Sequence, residues 1–221
     1  MIQLPSNLAQ LRAAWRVTSA VEPRSTPCFT LTNAAVPKLY VHGMIGGYDA
    51  DSSEFVQAVH GLDAKAIDVH INSPGGFVYD GVAMYEALKS HPATVNMHID
   101  GLAASAASFL AQAGDSVEIA KAGRMMIHDA QGVGMGSPAD MREYADLLDA
   151  VSDDIAGIYA GRAGGKPAAW RSAMSATTWY SAQQAVDAKL ADRVAGSSSG
   201  PDNRTRLIQA RFRALASQGG K

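Results

Sequence analysis

The sequence lacks the features that mark several large classes of protein. Cys28 is the one cysteine in 221 residues, which excludes an internal disulfide and favours a reducing compartment. The net charge of −2 implies no general attraction to nucleic acid or to a membrane surface. No apolar signal segment follows Met1, and the run 101–114 is too short and too interrupted by serine to span a bilayer. We therefore expect a soluble, cytoplasmic protein.

Metal and nucleotide motifs are missing as well. The six histidines form no HExxH pattern and no Cys/His cluster, so no metal site is predicted. The segment 161–167 superficially resembles a phosphate-binding loop, but its spacing is short and Pro167 replaces the required serine or threonine. We expect no cofactor, and any ATP-driven step then requires a partner chain.

What is present is enough apolar material for one main core, since 47% of the residues are hydrophobic. Short alternating or apolar runs predict strands at 39–42, 65–71, 94–99, 116–120 and 125–128. Helical patterns separate these strands, and Ser137-Pro138 is a strong start signal for a long helix that ends near Gly161. Strands that alternate with helices indicate an α/β fold with a parallel sheet.

One serine lies where a predicted strand turns sharply into a helix. The strand 94–99 is followed by Gly101 and then by small residues with good helix propensity, which places Ser105 near the helix N-terminus. Free backbone N–H groups there favour a developing anion, and small neighbours leave room for a substrate. Ser105 is therefore a candidate nucleophile, although a close-packed helix of small residues has the same pattern.

Two other strand ends carry residues suited to the same chemistry. Gly75 and Gly76 follow the strand 65–71 and allow backbone N–H groups to approach a ligand closely. His128 ends the strand 125–128, and histidine is the commonest general base near neutral pH. The carboxyl ends of strands form the edge where α/β proteins bind ligands, so these groups are expected to converge with Ser105.

Three motifs occur in a characteristic order: INSPGG at 71–76, GLAASAAS at 101–108 and MMIHDA at 125–130. Together they resemble the proteolytic subunit of the Clp protease family, the self-compartmentalised serine peptidases. The sequence around these motifs is most similar to the Clp-like head-maturation proteases of tailed bacteriophages and prophages. The resemblance extends without large gaps from about Lys38 to Ala195.

The resemblance implies an α/β fold of the Clp/crotonase type, with repeated ββα units and a projecting handle helix. The implied peptidase domain is 38–196, with an unassigned N-terminal segment at 1–37 and a flexible linker and basic tail at 197–221. The implied assembly is a homo-oligomer of stacked rings around a chamber. Its implied partners are a polypeptide substrate and either a separate AAA+ ATPase or capsid proteins, with no nucleic acid and no membrane.

Carried over residue by residue, the resemblance makes Ser105 the nucleophile and His128 the base that takes its proton. It assigns the oxyanion hole to the backbone N–H groups of Gly76 and Ala106. Ser108, one helical turn further on, is the competing nucleophile, but its neighbours do not match the family's motif.

The third member of the triad departs from the family's pattern. The position that matches the acid is Thr177, and no Asp or Glu occurs anywhere in 155–186. A threonine hydroxyl can orient the base, but it cannot stabilise the imidazolium by charge. The alternatives are a Ser-His dyad oriented by Thr177, an acid imported from Asp129, Asp153 or Asp192, and a catalytically poor subunit kept for assembly.

The sequence thus predicts a Clp-like, ATP-dependent serine endopeptidase subunit that hydrolyses peptide bonds, with phage capsid maturation as one setting. A weak or inactive ring-forming or capsid-assembly component is the main alternative. A crotonase-type acyl-CoA enzyme would share the fold and a two-amide oxyanion hole, but such enzymes need no pair like Ser105 and His128.

Overall fold

The computed structural model describes residues 29–32, 34–47 and 52–196. In these ranges, eight strands join in one mixed sheet. They are β1 (Phe29–Thr32), β2 (Lys38–Ile45), β3 (Ala66–Gly76), β4 (Thr94–Ala104), β5 (Ser116–Ile119), β6 (Arg124–Ile127), β7 (Thr178–Ser181) and β8 (Arg193–Val194). The linker and tail predicted at 197–221, and a helical stripe through Leu8, Leu11 and Trp15, lie outside the described residues.

Helices cover one face of this sheet. They are α1 (Ser52–His60), α2 (Val78–Lys89), α3 (Ala106–Leu110), α4 (Pro138–Ala163), α5 (Pro167–Ser175) and α6 (Ala182–Asp187), with a 3₁₀ turn at Ala111–Ala113. Alternate residues of the central strands, such as Val69 and Met97, are fully buried against them. Their neighbours His70 and His98 lie on the other face, where the two rings stack at 4.8 Å. None of the described helices is long and apolar enough to cross a membrane.

The predicted parallel α/β sheet is confirmed for its centre, where β2, β3, β4, β5 and β8 run parallel in that order. The exceptions are β1, antiparallel to β2, and β7, antiparallel to β6. β1 lies within the N-terminal segment 1–37 that the sequence left unassigned.

β4 changes its partner along its length, and this branch positions the site. Its first part, Asn96–Ile99, pairs with β5, whereas its last residues, Leu102–Ala104, pair with β6. Both pairings are parallel, so the end of β6 lies beside the end of β4. The residues that follow these two strands, His128 and Ser105, are therefore neighbours.

The long helix is confirmed at Pro138–Ala163, and its buried residues all lie in its second half. Ser137 and Asp140 form a capping box at its start, which satisfies two otherwise unpaired backbone N–H groups. The buried residues begin at Ser152, whereas Leu147 is 47% exposed. No residue of the first half of α4 is fully buried, although Met141, Tyr144 and Leu148 are half-buried.

Several element boundaries differ from those predicted. β3 continues through the glycine pair, because Gly75 and Gly76 pair with the end of β2 after a shift in register. β4 likewise runs to Ala104, so the small-residue helix is shorter than the sequence suggested. α5 and β7 were not predicted, although Pro167 at the first helical position is a start signal.

Candidate active site

Ser105 occupies a sharp turn between β4 and α3. Its backbone has φ 53° and ψ −125°, a conformation that is strained for any residue with a Cβ atom. The Ser105 N–H donates to the carbonyl of Met126 on β6 at 2.9 Å, which ties the turn to the neighbouring strand. A strained strand-to-helix turn presents the serine hydroxyl at the sheet edge, as in the nucleophile elbow of α/β-hydrolases.

His128 meets this hydroxyl directly. Its Nε2 atom lies 2.7 Å from the Oγ atom of Ser105, and both side chains are half-buried. Burial lowers the pKa of His128, while the negative charge of Asp129 acts in the opposite direction. The imidazole is therefore neutral at neutral pH and can accept a proton from Ser105.

The glycine pair packs against the turn at Ser105. A Cβ atom on Gly75, whose φ is +94°, would lie 2.6 Å from both the Ala104 carbonyl oxygen and the Ser105 Cβ atom. The Gly75 N–H donates to the Ser73 Oγ atom at 3.1 Å. Only glycine allows β3 to pass this close to the turn.

The N–H groups on either side of Gly76 are used within β2 and β3. The Phe77 N–H donates to the carbonyl of Ile45 on β2 at 2.9 Å. Gly76 itself lies opposite Ile45, at the end of the register that β2 and β3 share. Ala106 begins α3 directly after Ser105, so its N–H lies at the same turn.

Ser108 is excluded as the nucleophile by its surroundings. Its side chain is fully buried, with Oγ 2.6 Å from the Ser105 carbonyl oxygen and 2.7 Å from the Tyr159 hydroxyl. Tyr159 is also buried, which raises the pKa of its phenol. Ser108 therefore joins α3 to α4 and has no route to a substrate.

Thr177 directly precedes β7 and His128 directly follows β6, and these two strands pair Ile127 with Thr178. The φ of 50° at Thr177 is unfavourable for a β-branched residue, and its side chain is exposed. The hydrogen bonds of the described residues include none between Thr177 and the Nδ1 atom of His128.

The three carboxylates considered as substitutes are all held elsewhere. Asp129 accepts from Arg171 at 2.8 Å and from Ser175 at 2.6 Å. Asp153 pairs with the same arginine at 2.8 Å. Asp192 accepts from the Val117 N–H and from Arg162, both at 2.6 Å. These bonds leave His128 without a carboxylate on Nδ1 among the described residues.

The sequence reasoning missed the contacts that hold the chain just after His128. They involve Arg171 and Ser175 of α5, a helix that was not predicted. Pro167 at the first helical position is the signal in the sequence that could have identified this helix.

Comparison with known proteins agrees with this geometry. The family model for Clp protease matches residues 48–198, most of the chain. This chain belongs to the Clp protease family. ATP-dependent Clp protease proteolytic subunit 2 of Corynebacterium glutamicum is 33% identical over 140 residues, which is 62% of this chain and 69% of that protein.

Two other Clp relatives show similar identity over shorter stretches. The proteolytic subunit of Pleurastrum terricola is 36% identical over 107 residues, covering 46% of this chain and 53% of that protein. Subunit 3 of Streptomyces coelicolor is 32% identical over 131 residues, covering 58% of this chain and 60% of that protein. The match thus spans about half to two thirds of the relatives' length.

Replacing Gly75 by alanine should destabilise this Clp-family chain far more than the same change at Gly43. Both glycines have a left-handed φ, +94° and +87°, but a Cβ atom on Gly43 would meet nothing within 4 Å. The conformational cost is about 1 kcal/mol at either position, and overlap with the Ser105 turn adds about 1–3 kcal/mol for Gly75→Ala. Urea unfolding of both variants measures the difference, and equal losses of stability would show that the contact is not tight.

The protonation of His128 should occur below pH 6.5, the ordinary value for histidine, because burial lowers its pKa. Neutral His128 is favoured in the folded chain, so protonation costs stability as the pH falls through the folded pKa. NMR titration of the imidazole in Ser105→Ala measures this value. A midpoint at or above 6.5 would mean that another charge outweighs burial.

Proposed function

We propose that this chain is a serine-type endopeptidase subunit in which Ser105 attacks the peptide carbonyl and His128 is its base. The observation that carries this proposal is the 2.7 Å contact between Ser105 Oγ and His128 Nε2. It joins residues 23 positions apart, each placed directly after the end of its own strand. A hydroxyl and a neutral imidazole in this geometry are the minimum needed for nucleophilic acyl transfer.

The proposed reaction begins when Ser105 Oγ bonds to the carbonyl carbon and its proton passes to His128 Nε2. Negative charge develops on the carbonyl oxygen, and the N–H groups of Ala106 and Gly76 are proposed to receive it. One such donor contributes about 3–4 kcal/mol to lowering the barrier in a serine protease. His128 then gives its proton to the leaving amine, and water hydrolyses the acyl-enzyme by the same steps in reverse.

Thr177 is proposed as the group that orients His128 through Nδ1. The pairing of β6 with β7, which joins the residues next to His128 and Thr177, supports this role. Catalytic hydrogen bonds are often long before substrate binds, so the bond is expected to form in the substrate complex. A neutral acceptor leaves the imidazolium unstabilised by charge, which implies a slower enzyme than one with an aspartate.

The relatives' names describe ATP-dependent proteolytic subunits. By this likeness we propose a cytoplasmic homo-oligomer of stacked rings, whose peptidase domain spans 38–196 and which works with a separate ATPase. The exposed side chain of Leu147 in the first half of α4, at 47% exposure, supports contact with another subunit. Unfolded or capsid-associated polypeptides are the proposed substrates, and phage head maturation is the proposed setting.

An inactive assembly component is the second candidate. This candidate is favoured by one observation: among the described residues, no carboxylate forms a hydrogen bond with the Nδ1 atom of His128. Both candidates require the same fold, so only chemistry at Ser105 separates them.

A fluorophosphonate probe should label wild-type chain and Ser108→Ala but not Ser105→Ala. Ser108→Ala leaves the buried Tyr159 hydroxyl without its partner, so some stability is lost while the nucleophile stays. Casein cleavage should follow the same pattern across the three chains. Labelling or cleavage that persists in Ser105→Ala would exclude the proposed nucleophile, and its absence from wild type would favour the inactive component.

Thr177→Val should lower kcat about fivefold, the value of one net hydrogen bond. Valine is the matched change because it keeps the branched shape and the backbone strain. Thr177→Asp should raise kcat above wild type, since a carboxylate stabilises the imidazolium and aspartate tolerates positive φ better than threonine. If the valine variant hydrolyses peptides as fast as wild type, Thr177 does not orient His128.

A further inference from the structure

A single arginine of α5 gathers three carboxylates beside the candidate base. Arg171 donates from Nε to Asp129 at 2.8 Å, from one terminal nitrogen to Asp153 at 2.8 Å, and from the other to Asp149 at 2.6 Å. Asp149 and Asp153 belong to α4, whereas Asp129 directly follows His128. The arginine thus joins α4, α5 and the segment after β6.

The Asp129 contact is the best protected of the three. The side chain of Asp129 is 27% exposed, whereas those of Asp149 and Asp153 are each 69% exposed. Exposed ion pairs are screened by water and contribute little, so the pair with Asp129 is the one expected to matter most. Its other carboxylate oxygen accepts from Ser175 at 2.6 Å, so both oxygens have a donor from α5.

The next residue is anchored as well. The Ala130 N–H donates to Ser152 Oγ at 2.9 Å, and Ser152 itself donates to the Leu148 carbonyl within α4. β6 ends at Ile127, so these contacts fix the chain where the sheet no longer does. Among the described residues, they are the side-chain hydrogen bonds that hold the backbone immediately after His128.

Within the part of the chain that the structure describes, the His128 imidazole makes one hydrogen bond, the contact with Ser105. In the absence of a carboxylate on Nδ1, its direction depends on the backbone that carries it. We propose that Arg171 is a positioning residue that fixes Asp129 and thereby keeps His128 in line with Ser105. The inference rests on the proposed function of Ser105 and His128. It assigns part of the orientation of His128 to the ion pair between Arg171 and Asp129, the residue that follows His128.

Arg171 also affects the charge around His128. The charged groups that face this region are Asp129 on the same segment, Arg171 from α5, and the two α4 carboxylates, Asp149 and Asp153, that the arginine holds. Asp129 already acts to raise the pKa of His128 against the effect of burial. Removing the guanidinium leaves that carboxylate uncompensated, so the pKa of His128 should rise.

The test compares Arg171→Gln with Arg162→Gln in peptide hydrolysis. Arg162 is the matched control, because it also binds an aspartate, Asp192, but far along α4 from His128. Arg171→Gln should lower kcat at least about tenfold with KM within about twofold, since small misplacement of a catalytic group is costly. The acid limb of its pH profile should move to higher pH. Arg162→Gln should change neither.

Two further variants separate positioning from general damage to the fold. Arg171→Lys keeps the charge but not the planar fork, so the pH limb should stay while kcat recovers only in part. Asp129→Ala should lower kcat like Arg171→Gln, and the double variant should be no slower than Arg171→Gln alone, because both act through one contact. Additive losses would overturn the inference.

A second readout does not depend on catalysis. In the Ser105→Ala chain, NMR titration of His128 should give a higher pKa when Arg171→Gln is added and an unchanged pKa when Arg162→Gln is added.

The failure of the proposed function and the failure of the inference give different results. If the wild-type chain shows no hydrolysis that depends on Ser105, the proposed function is refuted, while the titration still decides whether Arg171 acts on His128. Hydrolysis that is present but equally affected by the two arginine variants would refute the inference alone. If Arg171→Gln does not fold, Asp129→Asn is the substitute variant, because it removes the charge, leaves one oxygen to accept from Arg171 and turns the other group into a donor toward Ser175 Oγ. This variant should lower the pKa of His128, and an unchanged pKa would overturn the inference.

Discussion

The geometry of the site depends on the hydrogen-bonded branch in β4. A strand can pair on only two edges, and one edge of β4 is occupied by β3 along most of its length. The other edge is shared, with β5 on the first part and β6 on the last. This sharing brings the end of β6 against the end of β4, and the N–H of Ser105 extends the contact to Met126. Without the branch, His128 would be separated from Ser105 by a strand.

Close packing at the same edge makes the arrangement both tight and strained. Gly75 passes within van der Waals contact of the Ser105 turn, and the turn itself has a positive φ. Such strain persists only where the surrounding structure over-determines it. Here the burial of Ser108 and Phe109 beneath the turn provides that constraint. The Ser105 hydroxyl is thus presented by a backbone that the core holds in place.

The electrostatics of the site differ from those of a full triad. Burial favours the neutral imidazole, which is the form that accepts a proton. No described carboxylate opposes this by binding Nδ1, and Asp129, which follows His128 in the chain, is paired with Arg171. A histidine of lowered pKa is unprotonated at neutral pH and can accept a proton, but its protonated form, the imidazolium, is less stable. The proposed chemistry is therefore that of a dyad whose orientation comes from the surrounding chain.

The sequence alone determined the features that depend on local chemistry. Alternation predicted the strand before Ser105, and a short apolar run predicted the strand before His128. Small residues predicted room around the serine, and the motif order predicted the Clp family. Only the tertiary structure decided which serine is accessible, since Ser108 differs from Ser105 mainly in its contact with Tyr159 on α4. It also decided where Asp129 points and that Arg171 holds it. These outcomes depend on contacts between residues tens of positions apart, and such pairings leave no periodic signal in one sequence.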